Sequence, residues 1–119
     1  MPAAKLNLAI EQGATWRHGL QVRQGVGAQA PGMNLTGYTA RMQLRNELPA
    51  PAVLLELTNT NGRIVITPLT GELMLVLTAT ETAALSFDGA VYDLEIVSSG
   101  GEVTRLLQGK VSLSLEVTR

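Results

Sequence analysis

Apolar and polar residues alternate with a period of two along most of the chain, and this pattern predicts strands, each with one dry and one wet face. The clearest stretch is Gly89 to Val117. Tyr92, Leu94 and Ile96 alternate with Asp93 and Glu95, and beyond Ser99-Gly100-Gly101 the residues Val111, Leu113, Leu115 and Val117 alternate with Ser112, Ser114 and Glu116. Two strands joined by a glycine-rich turn make a β-hairpin, which needs a second apolar layer to cover it. Earlier in the chain Lys5–Ile10, Thr15–Arg23, Tyr38–Arg45, Val53–Thr58, Arg63–Thr67 and Glu72–Thr78 read as further strands. Trp16, His18, Leu20 and Val22 share a face, so Trp16 is expected in the core.

The interruptions are as informative as the strands. Gly13, Asn61-Gly62, Pro49, Pro51 and Pro68 end or turn the chain, because glycine accepts positive φ and proline donates no ladder hydrogen bond. Residues 24–34 hold three glycines and a proline without periodicity and are expected as a long loop. Near residues 80–86 one short helical turn is expected, with Thr80 as its cap and Glu81 in its first turn. Seven or eight strands with short turns give an all-β fold at the spacing of an antiparallel sandwich, in a single domain 1–119 with an amino-terminal arm 1–4. Leu73, Leu75, Leu77, Met74 and Val76 make one strand apolar on both faces. Its second face is expected to be covered as well, with a partner as one way of covering it.

Composition narrows the possible chemistry. The chain has 119 residues, 45% apolar and 16% charged, with no cysteine. Disulfides and thiolate catalysis are excluded, and packing must carry the fold. Met1-Pro2-Ala3-Ala4-Lys5 lacks the apolar run of a signal peptide, and no segment approaches the length of a membrane span. Neither secretion nor membrane association is expected. Net charge is −1, yet residues 1–63 hold six Lys/Arg and three Asp/Glu while residues 64–119 hold three and seven. Such a split would let a basic surface of one copy meet an acidic surface of another.

No residue constellation for catalysis stands out in the sequence, and no enzyme is expected. His18 is the single histidine, so a histidine metal cluster is not available, and a serine nucleophile is unsupported because no Gly-x-Ser-x-Gly elbow occurs. Gly25-Val26-Gly27 is followed by no helix that could hold phosphate. Asp93 and Glu95 share a face but lack the loop of a calcium site. Arg17, Arg23, Arg41 and Arg45 could line a basic face. With only Trp16, Tyr38, Phe87 and Tyr92 as aromatics, a stacking platform for nucleic acid is not expected. No catalytic, metal or cofactor residue is assigned, and no cofactor is expected.

Two stretches carry a family resemblance. Leu35-Thr36-Gly37-Tyr38-Thr39-Ala40-Arg41-Met42-Gln43-Leu44-Arg45 resembles a strand in the amino-terminal domain of upper-baseplate proteins of tailed bacteriophages and in short proteins from phage structural gene clusters. Tyr92-Asp93-Leu94-Glu95-Ile96, a Gly-Gly turn, Arg105-Leu106-Leu107-Gln108-Gly109-Lys110-Val111 and the final Glu116-Val117-Thr118-Arg119 are similar to the ending of the same group. With Gly13-x-x-Trp16 and Asn61-Gly62 the likeness runs along nearly the whole chain in order. It implies an immunoglobulin-like sandwich used as a virion building block, made in the host cytoplasm, with other virion proteins as partners and several copies in a symmetric assembly.

The resemblance implies docking on the tail, baseplate or fibre-attachment region. Upper-baseplate proteins continue into a fibre-like or partner-binding region, whereas this sequence ends at Arg119, so a stand-alone adaptor is expected, with capsid decoration as the alternative. A carbohydrate- or ligand-binding sandwich is the competing reading from another class, with Phe87 beside Asp88-Gly89 as its only loop candidate. The expected contact surface is the loop, Gly25, Val26, Gly27, Ala28, Gln29, Ala30, Pro31, Gly32 and Met33, together with the arm before Leu6.

Overall fold

The structure, a computed structural model, describes residues 3–24, 30–47 and 52–117. Nine strand segments and one helix follow in the order β1 Ala4–Lys5, β2 Leu8–Glu11, β3 Trp16–Gln21, β4 Thr39–Arg45, β5 Leu55–Thr58, β6 Ile64–Thr67, β7 Glu72–Leu77, α1 Ala79–Ala83, β8 Gly89–Val97 and β9 Val103–Ser114. They build two sheets. One runs β1-β9-β8-β4-β5, with β2 also on β9, and the other runs β3-β7-β6. A three-stranded sheet, in which β3 pairs with the non-consecutive β7, packed on a larger sheet centred on β4, β8 and β9 is the immunoglobulin-like sandwich, in its variant with an extra strand beside β4.

Alternation places the core as expected. Ala40, Met42 and Leu44 of β4, Leu73, Leu75 and Leu77 of β7, and Tyr92, Leu94 and Ile96 of β8 are all buried, and Leu57, Ile64 and Val111 join them. A full-length leucine removed from water contributes roughly 1.5–3 kcal/mol, so these positions carry the fold. The β8–β9 hairpin turns at Gly101, whose φ of 89° requires glycine. On β7, Leu73, Leu75 and Leu77 face the core while Met74 and the neighbouring Val65 of β6 stay exposed, at 38% and 51%.

The amino-terminal strand differs from the single run expected. It is split at Leu6-Asn7, so that β1 and β2 each lie parallel to β9, Ala4 opposite Leu107 and Leu8 opposite Val111. Ala4, expected in a loose arm, is therefore a sheet residue. The split has a visible cause in β9: a Cβ on Gly109 would overlap the Leu6 carbonyl, and the Tyr92 hydroxyl crosses the same space to donate to Leu6 O at 2.6 Å. Asn7 Oδ1 accepts from Lys110 N–H at 3.1 Å and completes the latch.

Three other expectations change. Trp16 is half-buried, at the seam between the sheets, where its Nε1 donates to Ala9 O at 3.0 Å and its ring stacks on His18. The helix is capped by Thr78 rather than Thr80, in a capping box with Glu81. Beyond Ser114 the alternation continues in sequence but leaves the core, with Leu115 and Val117 69% and 93% exposed.

Candidate interaction surface

The outer face of the larger sheet gathers charged and amide side chains from three adjacent strands. Arg41, Gln43 and Arg45 project from β4, Asp93 and Glu95 from β8, and Arg105, Gln108 and Lys110 from β9, with Lys5 and Asn7 at the rim. These residues, Arg41 excepted, line a shallow groove of about 790 Å³. A β-bulge assembles it. The β8–β9 register shifts between Leu94 and Glu95, so Leu107 faces Leu94 but Arg105 faces Glu95. Strict period two would put Arg105 with Leu107 on the dry side. The extra residue turns it outward beside Gln108 and Lys110.

Charges on this face are largely used up in pairs. Arg41 Nε lies 2.9 Å from Glu95 Oε1, and Arg105 Nε lies 3.6 Å from Asp93 Oδ2. Gln43 donates to Glu56 at 2.9 Å and accepts from Arg45 at 2.9 Å. Lys5 and Lys110 have no ion-pair partner among the described residues, which leaves the groove's rim cationic. Exposed pairs of this kind add little stability, about 0–1 kcal/mol each, and act instead on orientation and partner choice.

The anticipated basic face does not form as one surface. Arg41 and Arg45 stand on β4 of the larger sheet, whereas Arg17 lies on β3 of the smaller sheet and Arg23 just beyond it, in a bridge with Gly32. Arg17 is thus on the other layer. The expected separation of a basic from an acidic half is also lost, because Arg41–Glu95 and Arg63–Glu81 join residues of the two halves.

Of the expected loop surface, Gly25, Val26, Gly27, Ala28 and Gln29 lie outside the described residues. Ala30, Pro31, Gly32 and Met33 form its returning limb, tied down by Gln24 N–H to Pro31 O and Met33 N–H to Val22 O, and Met33 packs against the core. Phe87 is half-buried against the core as well, and no aromatic among the described residues is exposed.

Titratable groups with shifted behaviour are structural here. Thr78 N–H donating to its carboxylate, followed by Arg63 beside it, holds Glu81 below the ordinary carboxylate range. Burial pushes the Tyr92 phenol up, so it remains the protonated donor that the Leu6 carbonyl requires. Among the described residues no group of three metal-ligating side chains comes together, and no helix is long and apolar enough to cross a membrane. Asp93 and Glu95 face arginines.

Comparison with known proteins supports the architecture. The chain superposes on a crystal structure of a chicken TCR with a TM-score of 0.54 at 14% sequence identity, over 96% of its own length and 56% of that chain. The chain is an immunoglobulin-like β-sandwich. It spans little more than half the length of that receptor chain, and the likeness is one of fold. No protein-family model and no curated protein matches the sequence.

Proposed function

We propose that this protein is a non-enzymatic structural component of a tailed-phage or prophage virion, a sandwich module that docks on the tail, baseplate or fibre-attachment region. One observation carries the reading. The stretches that resemble phage baseplate-type proteins, 35–45, 92–96 and 105–111, fall on β4, β8 and β9, three adjacent strands of one sheet. The outward residues of those stretches, with Lys5 and Asn7, line the groove and its cationic rim. A shallow, charged sheet face suits docking against another protein surface better than enclosing a small substrate.

The groove rather than the 24–34 loop is the docking face in this reading. Immunogold labelling of purified particles is the test, with label at the tail tip or baseplate expected. Label spread over the head would replace tail docking by capsid decoration, and its absence from intact particles would reject the virion role. Reversing Lys5 and Lys110 to glutamate should lower incorporation while leaving the circular dichroism spectrum unchanged.

A further inference from the structure

We infer that the free edge of β3 is an assembly edge occupied by the β3 of a second copy of this chain, antiparallel, about a two-fold axis passing by Gly19. In the sandwich architecture the first strand ordinarily lies beside this one. Here it lies on β9 in the other sheet, and β3 is left as an edge of the smaller sheet. The consequence shows in burial. Leu73, Leu75 and Leu77 are sealed, whereas Leu20, His18 and Trp16, their register partners on β3, stay half-buried.

The hydrogen-bonding phase of the edge follows from the ladder. Val22 N–H donates to Gly71 O directly opposite it, so the even-numbered residues of β3 bond to β7. The N–H and C=O groups of Arg17, Gly19 and Gln21 therefore point away from β7, in the pattern a further antiparallel strand accepts. The other sheet edges are blunted: β2 is short and kinked off β1, β5 has four residues, and β6 has four and ends at Pro68. β3 has six, with neither proline nor lysine. Long unguarded edges are where chains pair.

Self-pairing fits better than a foreign strand because the charges match. With Gly19 opposite its own copy, Arg17 comes to lie opposite Gln21 of the second copy and beside its Glu72, which is in register with Gln21. Arg17 has no ion-pair partner among the described residues, and Glu72 has only a hydroxyl contact from Thr70. Each copy would thus bring the charge its partner lacks. Gly19 itself has no left-handed φ, and a Cβ there would meet only the Met74 side chain, at 3.3 Å from its methyl. The monomer therefore sets no demand for glycine at that place.

This pairing uses the smaller sheet alone and stands apart from the virion reading. Sedimentation equilibrium of the whole protein across a wide concentration range should show a monomer–dimer equilibrium. Amide exchange at Arg17, Gly19 and Gln21 should slow with concentration while that at His18 and Leu20 does not change. Gly19→Pro removes an outward N–H without touching the bonds to β7, and should abolish the dimer in a protein that still folds. Arg17→Glu and Glu72→Arg should each weaken association several-fold, and the double variant should restore it. A monomer at every concentration, a dimer whose odd-numbered β3 amides exchange as in the monomer, or a double variant no better than either single one would overturn the proposal.

Discussion

The two sheets of this sandwich are made from the same kind of alternating strands, yet they finish differently. In the larger sheet the hairpin β8–β9 is flanked on both sides, the inward residues of β8 are sealed, and its outward arginines and carboxylates are paired. In the smaller sheet only β7 is flanked, the outer face carries exposed Met74 and Val65, and β3 ends half-covered. What separates them is the destination of a single strand. By joining β9, the amino-terminal segment closes one sheet and leaves the other open.

That difference sets the order of mutational effects. Leu94→Ala removes a side chain with no exposure at the centre of the closed sheet and should cost about 2–5 kcal/mol. Trp16→Ala, at the open seam, should cost about 2 kcal/mol despite its larger side chain, since half-burial forfeits much of the 3–5 kcal/mol seen for core aromatics. Urea denaturation of both variants measures the contrast. Equal losses would mean that β3 is as enclosed as β8.

Tyr92→Phe keeps the ring and deletes only the bond to Leu6 O, with an expected loss of about 1 kcal/mol. Amides of β1 should exchange faster in this variant while those of β7 do not change. Next comes the acid limb. Glu81 has a folded pKa below its ordinary 4.5, so the native state holds fewer protons there than the unfolded one. Its stabilisation is present above pH about 4.5 and fades as pH falls through the lowered value. Thermal melts from neutral pH down into the acid range should show a drop that Glu81→Gln flattens. Smallest of all, replacing residues 25–29 by a short turn should change stability by less than about 0.5 kcal/mol, because the bonds at Gln24–Pro31 and Val22–Met33 already close the loop's base.

Much of this was legible in the pattern of residues, and the remainder failed for identifiable reasons. Alternation gave the inward sets of β4, β7 and β8 because those strands are long and regular. It placed Leu115 and Val117 inward too, since nothing local marks Ser114 as the last paired residue. Trp16 looked central because hydrophobicity is readable and edge position is not. The capping box was present in the order Thr78-x-x-Glu81, but Thr80 competed for it. On the candidate surface, Arg41 and Arg45 were found by their spacing. Arg105 escaped notice because a bulge reverses its side, and Lys5 because its neighbour in space is a hundred residues away along the chain.

The latch of Tyr92, Gly109 and Leu6 also has a meaning in time. Lys110 N–H reaches Asn7 across a separation of 103 residues, and Tyr92 reaches Leu6 across 86. Such contacts make the search for the native topology slow, because a very large loop must close before any bond rewards it. During synthesis β1 and β2 have no sheet partner until β9 has been translated, while β3, β6 and β7 can already assemble. Strands made before the rest of the sandwich are thus the last to find their place.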